Sequence, residues 1–328
     1  MTDRRVLVAP DSFKGTFRAT EVAAAIGRGL EAAGLAAPDL CPVADGGDGT
    51  MEVLLTALGG ETAAVTVSDP LGREVDAAYA LIEDGGTAVI EMARASGLSL
   101  VGPDERDAVA ASTRGTGELI AAAVADGAQV VLVACGGSAT TDGAAGAIEA
   151  IEEAGGLGGA KLVCVCDVRT PFERAAEVFG PQKGADPATV KQLTRRLNDF
   201  AQTLPRDPRG KPMTGCAGGL SGGLWARYDA ALEPGAAFVL DALDFDARMR
   251  AARAVIVGEG RIDEQTMQGK IAGEIATRAR QAGVPCFAIV GTSELDAFGA
   301  RMLDLQRVLE AGDLDTIAAA AASLADVL

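Results

Sequence analysis

Four polar, glycine-rich stretches hold most of the residues able to do chemistry. The first is Asp11-Ser12-Phe13-Lys14-Gly15-Thr16. A lysine and hydroxyls just before a helix make an anion site, because a helix start offers free N–H groups and the positive end of its dipole. Ser12 or Thr16 as a plain N-cap, with Lys14 in solvent, accounts for the same residues. The second is Ala44-Asp45-Gly46-Gly47-Asp48-Gly49-Thr50. Its glycines let the backbone approach a ligand closely. Asp45 and Asp48 suit Mg²⁺ held through water, or a proton taken from a substrate hydroxyl. They also suit capping of the helix that follows.

The third stretch is Gly136-Gly137-Ser138-Ala139-Thr140-Thr141-Asp142-Gly143, which follows an apolar run. Backbone N–H groups with the hydroxyls of Ser138, Thr140 and Thr141 suit a phosphate. Asp142 can hold Mg²⁺ or serve as a base, or the whole run can be a long helix cap. The fourth is Gly258-Glu259-Gly260-Arg261-Ile262-Asp263, continuing to Thr266 and Lys270. Arg261 and Lys270 are natural carboxylate or phosphate partners. Glu259 and Asp263 balance them or hold metal; a solvated ion-pair loop is the alternative. It is not a Walker A loop, since Ile271 follows Lys270 where Ser or Thr is needed. Two further turns rank lower: Gly215–Gly223, as a ligand-facing loop, packing element or hinge, and Phe179–Gly184, with Lys183 as its basic residue.

Composition narrows the chemistry. The chain has 328 residues, 48% of them apolar, enough for two packed domains. A formal net charge of −17 opposes nucleic acid and anionic membranes as partners. No histidine is present, which excludes Ser-His-Asp and Cys-His hydrolases, His-containing zinc sites and a His base. The six cysteines have neither zinc nor disulfide-framework spacing, and read as reduced, buried thiols of a cytoplasmic protein. The N-terminus does not read as a signal peptide, and no apolar run reaches the ~18–20 residues that span a bilayer.

The elements that must position these loops follow from periodicity. Arg5–Pro10 and Leu40–Val43 read as strands, each followed by a polar loop and a helix, Ala19–Gly34 and Met51–Leu58. Thr62–Val67 and Glu74–Ile82, joined by Ser-Asp-Pro-Leu-Gly, read as an antiparallel hairpin, so a second domain begins near residue 63. Thr87–Met92 and Gln129–Cys135 read as strands, and Gly115–Asp126 and Pro187–Thr203 as helices. Strand–helix alternation resumes with Ala254–Val257, Ile271–Ala282 and Pro285–Val290. This pattern is one α/β domain built from both chain ends, with a mixed domain inserted. Ligands gather at the carboxyl ends of strands in such sheets, so loops from distant parts of the chain can converge. Phosphate cradles, carboxylates and Lys/Arg charges together are the parts needed for phosphoryl transfer.

Read in order, the sequence resembles the glycerate kinase type 1 family. The matching stretches are Ala9–Gly15, Ala44–Thr50, Gly115–Ile120, Gly136–Gly143, Val178–Ala185, Gly215–Leu220, and Gly258–Asp263 with Gln265-Thr266 and Gly269-Lys270. The resemblance implies ATP-dependent phosphorylation of D-glycerate with Mg²⁺, at the 2-hydroxyl. It implies a discontinuous flavodoxin/Rossmann-like parallel-sheet domain, residues 1–62 and 250–328, with an inserted mixed α/β domain, 63–249, and an active site in the cleft between them. On this resemblance Arg261 or Lys14 holds the glycerate carboxylate, and Asp45 or Asp142 orients or deprotonates the hydroxyl. The Gly136–Thr141 run cradles phosphate, Ser12, Gly46, Gly47 and Glu259 are further substrate- or phosphate-binding residues, and Lys270 offsets developing charge. Asp45, Asp48 and Asp263 are the Mg²⁺ candidates. Partners are small molecules, with a homodimer as the one assembly allowed for. The sequence departs from the family pattern between Gly146 and Asp167, where it is tens of residues shorter, and at Thr141, Ala144 and Thr170. Phosphorylation of another small hydroxy acid, or ligand binding without catalysis, are the alternatives.

Overall fold

Short runs of β-branched and small apolar residues become strands covered on both faces. In the computed structural model, which describes residues 4–263, 266 and 270–328, every residue of Val6–Pro10 (β1) is buried. The remaining strands are Asp39–Leu40 (β2), Glu61–Ser68 (β3), Glu74–Ile82 (β4), Thr87–Glu91 (β5), Val130–Ala134 (β6), Lys161–Cys166 (β7), Ala231–Pro234 (β8), Ala254–Ile262 (β9), Cys286–Ser293 (β10) and Leu305–Glu310 (β11). They form two sheets in two compact units, Met1–Asp45 with Ala236–Leu328, and Gly46–Gly235.

The unit made from the chain ends has the strand order β11-β10-β9-β1-β2, all parallel. Numbered within the unit, that is 2-1-3-4-5, the flavodoxin-like order. Val6, Val8, Ile256 and Ile289 alternate onto one face and pack with Val22, Ile26 and Leu30 of the helix Ala19–Ala32 and Ile317 and Ala321 of the helix Leu314–Ala322. Leu7, Val255 and Val257, on the opposite face, are equally buried, as a doubly covered sheet requires.

The central unit has the order β3-β4-β5-β6-β7-β8. β3, β4 and β5 run antiparallel, and β5 to β8 are parallel. The expected hairpin is present, its turn closed by Asp69, whose Oδ1 accepts from the backbone N–H of Leu71 at 2.8 Å and of Arg73 at 2.9 Å. Helices Arg114–Ala125 and Cys216–Tyr228 supply Leu119, Ile120, Leu220 and Leu224 to a core shared with Ile90, Val131 and Val133. Cys164 and Cys166 fall in the same core, as period-two alternation requires, and all six cysteines are free and buried.

The junctions between units lie at 45/46 and 235/236, not near residues 62 and 250. The helix Thr50–Leu58 packs on β4 and β5, so its apolar face belongs to the central sheet although its sequence continues the first strand–loop–helix rhythm. The stretch that is short against the family pattern holds the helix Ala145–Glu153, a turn in which Gly155, Gly156, Gly158 and Gly159 all have positive φ, and β7. Among the described residues no helix is long and apolar enough to cross a membrane.

Candidate active site

In the unit built from the chain ends, parallel strands open their carboxyl ends at one edge. From β1 the chain crosses one way to β2 and the other way to β9, and this reversal leaves a crevice beside β1. Asp11 follows β1 there; its N–H donates to the Gly258 carbonyl of β9 at 2.8 Å, and its Oδ1 accepts from the Ser12 N–H at 2.6 Å. Asp45, at the end of the segment after β2, accepts from Lys14 Nζ at 2.9 Å. Glu259, inside β9, accepts from Lys270 Nζ at 2.9 Å and from Thr266 Oγ1 at 3.4 Å. Burial pushes the Asp11 carboxyl well above the ordinary range; Asp45 adds to this, while Lys14 opposes it. Burial raises Glu259 as well, against the pull of Lys270. Three buried carboxylates are thus balanced by two lysines.

Other expectations for this unit are revised. Ser12 and Thr16 do not cap the first helix, which begins at Ala19 after a turn in which Phe13 and Phe17 pair; Glu21 instead accepts from the Arg18 N–H at 2.9 Å. Gly258–Ile262 is strand, not loop, held on one side through Pro10↔Gly258 and on the other through Glu259↔Val290 and Arg261↔Thr292. Arg261 stands exposed at the end of that strand and pairs with Glu294 and, at 3.5 Å, with Asp263. Gln265 and Gly269 lie outside the described residues.

In the central unit the glycine-rich stretches beginning at Gly46 and Gly136 meet directly. A Cβ on Gly136 would stand 2.6 Å from the Gly47 Cα, so only glycine allows the two backbones to touch. The exposed Asp48 lies against Gly137, where a Cβ would be 3.3 Å from its Oδ1. Asp167, exposed after β7, lies against Gly136 and accepts from Cys216 Sγ at 3.1 Å. Glu91, at the end of β5, pins the start of the helix Thr50–Leu58: its Oε1 accepts from the Gly49 N–H at 2.8 Å and the Met51 N–H at 3.0 Å. Gly215–Gly223 is a packing element, buried throughout; Gly218 lets it press on the Thr140 carbonyl and accept from the Gly143 N–H at 3.1 Å.

Asp142 is surrounded by hydrogen-bond donors. Its Oδ2 accepts from the Thr113 N–H at 2.9 Å, Thr113 Oγ1 at 2.8 Å and the Gly146 N–H at 3.2 Å, and its Oδ1 from the Ala144 N–H at 3.3 Å. It is a buried tie between a loop and a helix start, with both oxygens occupied. The hydroxyls of Thr140 and Thr141 are buried without a hydrogen-bond partner among the described residues.

Sequence reasoning quoted Asp11 and Lys183 within their stretches without giving either a task, and passed over Glu91 and Asp167. Asp11 and Asp167 each follow an apolar strand, a signal that was available. The burial of Lys183 had no local signal: lysine is among the residues least often buried, yet this one is 1% exposed.

Comparison with known proteins follows the same lines. A model of the glycerate kinase family matches residues 6–154 and 151–326, the two pieces meeting where the helix Ala145–Glu153 ends. A glycerate kinase of Halalkalibacterium halodurans is 41% identical over 326 residues, covering 88% of this chain and 85% of the relative. A glycerate 2-kinase of Escherichia coli is 37% identical over 327 residues, with 88% and 85% covered. A crystal structure assigned provisionally to a glycerate kinase 2 of Salmonella typhimurium LT2 is similar with a TM-score of 0.84 at 33% identity, over 99% of this chain and 98% of the other.

Proposed function

The chain belongs to the glycerate kinase family, and on that premise we propose that it transfers the γ-phosphoryl group of ATP to the 2-hydroxyl of D-glycerate, giving ADP and 2-phosphoglycerate. The observation that carries this reading is the meeting of Gly47 with Gly136, flanked by the exposed carboxylates Asp167, against Gly136, and Asp48, against Gly137. Bare backbone with the nearby hydroxyl of Ser138 suits a phosphate chain.

The donor set also fits Mg²⁺. Among the described residues no three His, Cys, Asp or Glu side chains converge as a metal cage. Mg²⁺ needs none, since it takes one or two carboxylates and completes its shell with water and phosphate oxygens. Asp48 and Asp167 would hold it, where it supplies neutralisation of phosphate charge. Asp45 and Asp263, the other two candidates named from the sequence, stand beside Lys14 and Arg261.

The acceptor's chemistry falls to the charged ends of β1, β2 and β9. Asp45 takes the proton of the 2-hydroxyl as its oxygen bonds to the γ-phosphorus and the bond to the β-phosphate oxygen breaks. Lys14, beside Asp45 and partly exposed, takes the glycerate carboxylate. Lys270 beside Glu259 offsets the charge that develops. Asp142, fully engaged as a tie, is left out of the chemistry.

Phosphorus NMR of the protein with D-glycerate, ATP and Mg²⁺ tests the reading. A growing 2-phosphoglycerate signal matched by ADP is the expected result. A 3-phosphoglycerate signal overturns the regiochemistry, and an unchanged ATP spectrum from folded protein overturns the reaction. A panel of small hydroxy acids then separates glycerate from its analogues.

A further inference from the structure

Lys183 is a buried cation bonded, among the described residues, only to neutral oxygens. Its Nζ donates to Ser138 Oγ at 2.8 Å and to the Thr140 carbonyl at 2.5 Å. Asp142 and Asp167 act on it from a distance, but Asp142 is committed to Thr113, Ala144 and Gly146, and Asp167 receives Cys216. The small cavity beside it is walled by Leu71, Leu98, Val101 and Ala139 together with Arg106 and Asp107. A buried ammonium is costly unless it is paired with an opposite charge, and Lys183 forms no ion pair among the described residues. Both of its acceptors lie in the stretch assigned to phosphate.

The hydrogen-bonding inventory sets what this does to Ser138. A hydroxyl carries one hydrogen and two lone pairs. Lys183 occupies a lone pair, so the Ser138 hydrogen points elsewhere, and the adjacent positive charge makes that O–H a stronger donor. Ser138 is partly exposed, unlike Thr140 and Thr141. We propose that Lys183 is a positioning residue for phosphate: it turns Ser138 into a donor toward a phosphate oxygen, and supplies from beneath the loop the positive charge that the phosphate balances. The proposal rests on the phosphate reading of the Gly136–Thr141 stretch given above.

The test uses the whole chain with Lys183→Met, Ser138→Ala and the double variant, each checked for folding by circular dichroism. ATP is titrated by calorimetry, and KM is measured separately for ATP and D-glycerate. Lys183→Met is expected to weaken ATP binding about ten- to a hundredfold, the size of a charge-assisted hydrogen bond. KM for D-glycerate should stay unchanged, and the double variant should bind ATP no more weakly than Lys183→Met. Lys183→Arg should recover part of the loss. ATP affinity equal to that of the parent protein, or losses that simply add, overturns the role of Lys183. If Lys183→Met fails to fold, Ser138→Ala decides: unchanged ATP affinity overturns the proposal. A parent protein that binds ATP without phosphorylating D-glycerate overturns the proposed function while the titrations still judge Lys183. A parent that binds no ATP overturns both.

Discussion

Replacing Asp142 by alanine separates a structural carboxylate from a catalytic one. The substitution removes the acceptor of four hydrogen bonds, from the Thr113 N–H and Oγ1 and the Gly146 and Ala144 N–H groups. Thr113 is fully buried, so water does not replace what is lost. Hydrogen bonds to a charged group contribute roughly 1.5–3 kcal/mol each, but these share one carboxylate and do not add. A loss of about 3–5 kcal/mol is the reasonable sum. With a urea slope near 2 kcal/mol per molar, the unfolding midpoint falls by roughly 2 M. The single tryptophan, Trp225, lies in the central unit and reports its unfolding by fluorescence, which avoids treating two units as one transition. Under conditions where the variant is folded, kcat should fall by less than about tenfold, because the tie acts only on loop geometry. An unchanged midpoint with kcat reduced a thousandfold or more would refute this reasoning and return Asp142 to the chemistry.

The complementary substitution, Asp45→Asn, should lower kcat by about 10²–10⁴, the usual worth of a general base, while leaving the urea midpoint nearly unchanged; full turnover excludes Asp45. Gly136→Ala should weaken ATP binding at least about tenfold with a retained circular dichroism spectrum, because its Cβ would stand 2.6 Å from the Gly47 Cα and force the two loops apart; normal affinity excludes that contact from the site. Burial pulls the Lys183 amine from 10.5 down to about 8, with Cys216, Asp142 and Asp167 pulling the other way. ATP affinity should therefore fall as pH rises through about 8, and not in Lys183→Met. Between about 8 and 10.5 the unfolded chain still binds a proton that the folded chain has shed, so this group adds stability as pH rises, up to roughly 3 kcal/mol. Urea midpoints of the parent protein that fall relative to Lys183→Met across that window would contradict the sign. Asp11→Asn should raise stability at neutral pH, since the raised carboxyl favours the fold only while protonated and that benefit is lost as pH rises through its folded value; a lower melting temperature at pH 7 would show that the Asp11 charge is needed.

Much of the fold was legible because its signals are local. Alternating apolar residues mark Glu74–Ile82 as a strand, the Asp-Pro-Leu-Gly turn closes its hairpin, and an acidic cap opens Pro187–Ala201 through Asp186, which accepts from the Thr189 N–H at 2.7 Å. The glycine stretches at 46–49 and 136–137 were visible for the same reason: few other residues tolerate such backbone. The helix Thr50–Leu58 was recognisable as a helix, but not as part of the central unit, because its burial depends on β4 and β5 downstream.

What the sequence by itself determined is the inventory: two α/β units, glycine loops without histidine, and carboxylates and lysines in place of other acid–base groups. The tertiary structure decided which of these act together. Asp142, read from the sequence as a metal ligand, a base or part of a helix cap, accepts from Thr113, which folding brings to it from 29 residues away. Arg261, read as an anion partner or as part of a solvated ion-pair loop, stands exposed beside Glu294 because β9 runs through Ile262 alongside β10. Lys183, named from the sequence only as the basic residue of a turn, is buried with Ser138 and Thr140 as its acceptors. Periodicity and backbone preference are written in neighbouring residues, whereas the charge and proton affinity of a side chain depend on burial and partners that folding brings from far along the chain.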